Sequence, residues 1–314
     1  MPELPVLDHD TVLAAVTPEA AIAHVREAFD RHHRGEWTMP AKVYLESPPH
    51  GDFRAMPALG GGLAMLKWIS SFPGNPAQHE LPAVMGVVCV SDAQTSEPRA
   101  LLDARSVTAL RTGAVAAVAA DALAAGRGVG IVGCGLHGAW AARCLAAAGY
   151  GPGVCHDPRP EAAQALAAEL GWTVGDRGAA LAADVVCCVT PGHEPVLAAD
   201  DLHPGVHLNM LGADGPGKAE ATIDAVVACR LFCDEWAQAS HGGELTGAVE
   251  AGRVHREDVT GLGAVLSGEA PGRHSATELT LFDSTGLAIQ DLAIAAAALD
   301  ALRAGRVQAQ HVTL

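Results

Sequence analysis

Gly130-Ile131-Val132-Gly133-Cys134-Gly135-Leu136-His137-Gly138 passes from an apolar run into a helical pattern, with its last three glycines spaced G-x-G-x-x-G. Each of those glycines has a task in such a setting. Gly133 permits a tight turn, Gly135 lets the backbone approach a pyrophosphate, and Gly138 lets helix and strand pack closely. The helix that follows offers free N–H groups and the positive end of its dipole. Asp157 lies roughly 20 residues further on, after a second apolar run, where a carboxylate accepts hydrogen bonds from an adenosine ribose. Together these residues predict a dinucleotide site. A carboxylate repels a 2′-phosphate, which favours NAD over NADP. Arg159 pulls the other way, because a guanidinium can hold that phosphate.

The surrounding pattern supports this reading. Apolar runs at Gly128–Val132, Gly153–His156, Asp184–Thr190, His207–Leu211 and Arg230–Asp234 read as strands. Leu136–Ala148 and Pro160–Leu170 read as the first helices between them. Strands alternating with helices predict a doubly wound parallel sheet, an α/β Rossmann fold. Nearer the N-terminus the pattern changes. Thr17 as N-cap, Pro18 and Glu19 open a helix that carries Ile22, Val25 and Phe29, and Gly35 ends it. Short extended runs follow at Lys42–Leu45, Leu63–Ile69 and Val84–Val90, punctuated by turns such as Phe72-Pro73-Gly74-Asn75-Pro76, as in an antiparallel sheet. An Ala-rich helix is expected over Arg111–Ala125. A final helix, with Ile289, Leu292, Ala296 and Leu299 on one stripe, is expected to pack back on the N-terminal part. That makes a discontinuous α+β domain of residues 1–113 and 288–314 around a dinucleotide domain of 114–287.

Composition narrows the function classes. The 314 residues are 49% hydrophobic and carry a net charge of −16 with no basic cluster, a poor match to nucleic acid or an anionic membrane. The apolar stretches read shorter than the ~20 residues of a membrane span, and Met1-Pro2-Glu3-Leu4 has no signal-peptide character. The 8 cysteines are too sparse for a disulfide scaffold and read as buried reduced thiols of a cytoplasmic protein. Cys229 and Cys233 would share a strand face, but no CxxC accompanies them. The 15 histidines include no HExxH. Pro204-Gly205 keeps His203 and His207 off a common helical face, and His241 is expected near a strand end. No metal site is expected.

Motifs outside the glycine turn carry a further signal. They include Pro40-Ala41-Lys42-Val43-Tyr44-Leu45-Glu46, Gly51-Asp52-Phe53-Arg54-Ala55-Met56-Pro57, Leu66-Lys67-Trp68 and Leu110-Arg111-Thr112-Gly113-Ala114. Further along come Gly212-Ala213-Asp214-Gly215-Pro216-Gly217-Lys218, His241-Gly242-Gly243-Glu244 and Phe282-Asp283-Ser284-Thr285-Gly286-Leu287-Ala288-Ile289-Gln290-Asp291. In this order they resemble the ornithine cyclodeaminase/mu-crystallin family, and most closely its archaeal-type alanine dehydrogenase branch. The resemblance implies a homodimer with a Rossmann domain and a separate substrate-binding and dimerisation domain. It implies NAD-dependent interconversion of L-alanine with pyruvate and ammonia. Ornithine or lysine cyclodeamination, ketimine reduction, and the binding or structural roles of the mu-crystallin branch are the alternatives.

An amino-acid dehydrogenase must hold an α-carboxylate and move protons at the amine. By family position Lys42, Arg54 and Arg111 are the carboxylate-binding cations, and Lys67 and Asp214 the catalytic pair. Arg54 and Lys67 sit in apolar segments, where a cation needs an anionic partner. A desolvated lysine loses proton affinity and can act as acid or base near neutrality; a strand lysine extending into solvent would not. Asp214 follows a strand, either facing the substrate amine or closing an Asx turn. Arg111 and Thr112 read as the start of a helix, able to cap it or to touch cofactor phosphate. In the cyclodeaminases of the family a Glu stands where this chain has Arg54.

Overall fold

The computed structural model describes residues 3–192, 194–215 and 217–313. It divides into two compact units, 112–286 and the discontinuous pair 1–111 and 287–314.

Unit 112–286 is built on an eight-stranded sheet. In order across the sheet the strands are Val259–Gly261, Arg230–Cys233, Thr280–Asp283, His207–Met210, Val185–Cys188, Val129–Val132, Gly153–His156 and Thr173–Val174. Every neighbouring pair is parallel. Val129–Val132, Val185–Cys188 and His207–Met210 are buried at every residue, as strands covered on both faces must be. The chain winds from Val129–Val132 outward to Thr173–Val174, then returns to the opposite side of Val129–Val132 with Val185–Cys188. That reversal opens a crevice at the carboxyl ends of those two strands, beside Gly133.

Gly153–His156 and Pro160–Leu170 fall where the sequence places them. Asp184–Thr190 shortens to Val185–Cys188, and beyond it the Thr190 N–H goes to the Glu220 carboxylate. Thr280–Asp283 is not legible in the sequence, yet it lies between His207–Met210 and Arg230–Cys233. Cys229 lies one residue before its strand and packs with Leu231 and Cys233 in the same core cluster; both cysteines are buried free thiols. His241 is exposed in the last turn of the helix Trp236–Gly242, which follows the carboxyl end of the strand Arg230–Cys233.

The other unit carries a seven-stranded sheet. Its order is Gln310–Thr313, Glu3–Leu7, Pro98–Asp103, Val84–Asp92, Leu63–Ser71, Gly51–Gly60 and Val43–Ser47. Only Glu3–Leu7 with Pro98–Asp103 is parallel; the other pairs are antiparallel. Helix Pro18–His33 is capped by the Thr17 side chain and buries Val25 and Phe29. Against it and against strands Gly51–Gly60 and Leu63–Ser71 packs Ala288–Arg303. That last helix is buried around nearly its whole circumference rather than along one stripe.

Helix Ala104–Leu123, within which the two units divide, starts earlier than its Ala-rich composition suggests. Asp103 accepts the Ser106 N–H at 2.7 Å and caps it there. Arg111 and Thr112 therefore lie in the helix interior and have no free N-terminal N–H groups to offer. At 20 residues this helix is long and apolar enough to cross a membrane, longer than the apolar stretches read from sequence, but 89% of its most apolar window is buried within the protein. It is a core helix of the fold.

Candidate active site

In unit 112–286 the glycine turn is set by sterics. Gly133 has φ +99°, and a Cβ there would lie 2.4 Å from the Val189 carbonyl oxygen. A Cβ on Gly138 would come within 1.9 Å of the Gly133 oxygen, so only glycine lets the helix Leu136–Ala147 approach its strand. Gly135 is the N-cap residue of that helix and makes no side-chain cap. The first atom a Cβ on Gly135 would meet is Arg159 Nη2 at 3.8 Å, which leaves open space over the helix N-terminus. Uncapped N–H groups beside a cleared backbone suit a pyrophosphate.

Asp157 follows the strand Gly153–His156 and turns its carboxylate back onto this turn. Oδ2 accepts the Cys134 N–H at 2.8 Å, and Oδ1 accepts the Arg159 N–H at 2.9 Å and Nε–H at 3.0 Å. Burial pushes its pKa up, but the Arg159 side chain and these backbone N–H groups outweigh that and hold it below the usual carboxylate range. The Asp157 side chain is 4% exposed and that of Arg159 64%. The anion is fixed while the cation beside it faces solvent.

In the other unit the pleat decides where the cations point. Arg54 pairs with Ile69 and Met56 with Lys67 across adjacent strands, so Arg54 and Lys67 are diagonal neighbours on one face. That face is the buried one, with Met56, Met65 and Ile69 beside them. Lys67 does not extend to solvent; it is 1% exposed. Its Nζ lies 2.6 Å from Asp291 Oδ2 and donates to Thr108 Oγ1 at 3.3 Å. Burial pulls its pKa down, Asp291 pushes it back, and Arg111 and Arg54 lower it again, to about 8.

Arg111 Nε stands 3.7 Å from Asp291 Oδ1 and is buried without a hydrogen bond. Arg54 Nε is paired with Asp52 Oδ1 at 2.6 Å, and its guanidinium lies 5.4 Å from the Tyr44 ring centroid. Lys42, half-buried, precedes the strand Val43–Ser47 that carries Tyr44. Asp291 is the site residue that sequence reasoning misses. Its place in the motif ending Gly286-Leu287-Ala288-Ile289-Gln290-Asp291 is the one signal that points to it.

Asp214 is in the loop after His207–Met210, at a carboxyl end of the parallel sheet. Its carboxylate meets Lys218 Nζ at 2.6 Å and its side chain is 34% exposed. The Thr112 hydroxyl is buried and unpartnered. Among the described residues no group of three or more His, Cys, Asp or Glu is placed to hold a metal ion.

Comparison with known proteins covers nearly the whole chain. The chain is 38% identical over 299 residues to an alanine dehydrogenase of Archaeoglobus fulgidus, covering 92% of each chain. It is 32% identical over 306 residues to an iminosuccinate reductase of Paracoccus denitrificans, covering 92% of this chain and 93% of that one. A solved archaeal alanine dehydrogenase dimer with bound NAD superposes over 100% of both chains, with a TM-score of 0.94 and 36% identity. Residues 6–306 match the ornithine cyclodeaminase/mu-crystallin family, and the chain belongs to it.

Proposed function

We propose that this protein is an NAD-dependent L-amino-acid dehydrogenase that interconverts L-alanine with pyruvate and ammonia. The observation that carries this reading is Lys67, poised near neutrality by burial, paired with Asp291 and flanked by Arg111 and Arg54. Two arginines offer the paired donors a carboxylate needs, and a lysine that sheds its proton near pH 8 is the base an ammonium substrate needs. Unit 112–286 binds the dinucleotide, with Gly133, Gly135 and Gly138 clearing its pyrophosphate, Asp157 facing its ribose and Arg159 and Thr112 nearby. The other unit binds substrate.

The reaction balances as L-alanine, NAD⁺ and water giving pyruvate, ammonium, NADH and a proton. Bound NAD⁺ supplies the hydride acceptor. Arg54 and Arg111, with Lys42 at the edge, orient the carboxylate. Neutral Lys67 takes a proton from the substrate ammonium and passes it to solvent. Neutral again, it takes one from the water that adds to the iminium carbon and returns it to the nitrogen, which leaves as ammonia and collects the hydroxyl proton as the carbonyl forms. Asp214 stabilises the positive charge on nitrogen as the iminium forms. In reverse, protonated Lys67 donates.

The protein works as a homodimer through the face of its seven-stranded sheet opposite Lys67. Val43, Leu45, Leu59, Leu66 and Trp68 share that face and are 38–62% exposed, an apolar patch of the kind that marks an interface. The archaeal alanine dehydrogenase is likewise a dimer. All eight cysteines are free thiols, which fits the reducing cytoplasm.

NADH formation at 340 nm across a panel of amino acids, with products identified by mass spectrometry, tests the reading. L-alanine is expected to give stoichiometric NADH and pyruvate. Proline formed from L-ornithine with catalytic NAD, and no NADH from alanine, would overturn it in favour of a cyclodeaminase.

A further inference from the structure

Glu220 is fully buried, and four donors converge on its carboxylate. Oε1 accepts the Thr190 N–H at 2.6 Å and the Thr190 hydroxyl at 2.8 Å. Oε2 accepts the Gly212 N–H at 2.7 Å and the Leu211 N–H at 3.1 Å. These donors come from the loops at the carboxyl ends of two adjacent strands, Val185–Cys188 and His207–Met210. Glu220 also stands at the far end of the loop that Gly212 begins, and Asp214 is inside that loop. The end of the loop is tied separately, by the Ala219 N–H to the Gly192 carbonyl at 2.8 Å. Glu220 itself is held by a second buried carboxylate, since Glu244 accepts the Glu220 and Ala221 N–H groups at 2.9 and 2.7 Å.

This clamp is specific to a glutamate. Three backbone N–H groups and one hydroxyl require two acceptor oxygens, and a glutamine would turn an NH₂ group toward donors. Only glycine fits where the loop begins, because a Cβ on Gly212 would lie 2.3 Å from the Thr190 oxygen and 2.6 Å from Glu220 Cδ. Burial raises the Glu220 pKa to about 7 against the pull of its four donors.

We infer that Glu220 is a positioning residue for the reaction: it holds Leu211 and Gly212, where the chain leaves its strand, and so fixes where Asp214 presents its carboxylate. The inference rests on the reading of Asp214 as the group facing the substrate nitrogen. Glu220 touches neither substrate nor cofactor in this role and acts through Asp214.

The test is a double-mutant cycle on the full-length enzyme with L-alanine and NAD⁺. Glu220→Gln is expected to lower kcat by roughly 10–10²-fold, the scale of a misplacement near 1 Å, with KM for NAD⁺ and NADH affinity nearly unchanged. In an Asp214→Asn background the same change is expected to cost no more than about twofold, because no carboxylate is left to place. Thr190→Val, which removes one of the four donors to Glu220 and the acceptor of the Gly192 N–H at 3.3 Å, should show a smaller effect with the same dependence on Asp214, and decides the matter should Glu220→Gln fail to fold. An undiminished effect of Glu220→Gln in the Asp214→Asn background, or full activity in Glu220→Gln alone, overturns the inference and leaves the role of Asp214 standing. Wild-type activity in Asp214→Asn alone removes that role, and the inference with it.

Discussion

Lys67 Nζ and Asp291 Oδ2 form a 2.6 Å ion pair with neither side chain more than 1% exposed, and Arg111 approaches the same carboxylate from its other oxygen. Two cations therefore converge on one buried anion. Desolvation of Lys67, helped by Arg111 and Arg54 and opposed by Asp291, keeps its proton loosely held.

The first prediction concerns pH. The neutral fraction of Lys67 grows as pH rises through about 8. Oxidation of L-alanine, which needs the neutral amine, should rise with pH up to that point and level off above it. Reductive amination, which needs the protonated form, should fall above it. Asp291→Asn removes the charge that supports protonation and should move both inflections to lower pH. Lys67→Ala should cost ~10²–10⁴-fold in kcat. Initial rates in both directions across roughly pH 6–10 check this, a range that brackets the lysine's titration; an inflection that stays put in Asp291→Asn separates Asp291 from Lys67.

Arg54 is predicted to hold substrate. Asp52 grips its Nε and Nη2 at 2.6 and 3.2 Å, which aims the guanidinium. Arg54→Lys keeps the charge and loses the fork, so KM for alanine and for pyruvate should rise about tenfold or more, equivalent to one charge-assisted hydrogen bond of ~1.5–3 kcal/mol. Loss in kcat should be smaller. Steady-state kinetics with each substrate varied separates the two; a pure kcat effect would place Arg54 away from the carboxylate.

Cofactor choice should respond in opposite directions at two adjoining positions. Asp157→Ser removes the carboxylate that repels a 2′-phosphate and should narrow the preference for NAD over NADP. Arg159→Ala removes the exposed cation that could hold such a phosphate and should widen it. The ratio of kcat/KM for the two cofactors is the readout. Because Asp157 also accepts the Cys134 N–H, its replacement should weaken NAD binding as well.

Steric demand at the turn gives a stability prediction with an internal control. Gly138→Ala and Gly130→Ala would place a methyl group 1.9 and 1.8 Å from the carbonyl oxygens of Gly133 and Ala180. Each should cost ~1–3 kcal/mol, and Gly138→Ala should also weaken NADH binding. Gly247, inside the helix Thr246–Glu250, has room for a side chain: a Cβ there would meet nothing closer than Ile223 at 3.7 Å. Gly247→Ala should be neutral or stabilise by up to ~1 kcal/mol. Thermal denaturation of the three variants decides.

What the sequence determined by itself is local. The turn at Gly133, the strand Gly153–His156, the helix Pro160–Leu170 and the Thr17 cap all rest on dihedral freedom, periodicity or hydrogen bonds within a few residues, so they leave a mark in a short window. The family motifs point to Lys67 and Asp214 in the same way. The long strand Gly51–Gly60 is hidden, because Pro57 and its glycines read as punctuation. Tertiary pairing accommodates them: Pro57 lies beyond the residues of Gly51–Gly60 that pair with Val43–Ser47. Only tertiary structure chose the partners of buried charge. Asp291 joins Lys67, and Glu220 grips Thr190, across long stretches of chain. A buried ion must find its complement wherever the fold brings one within about 3 Å, and that requirement has no period and no spacing to read.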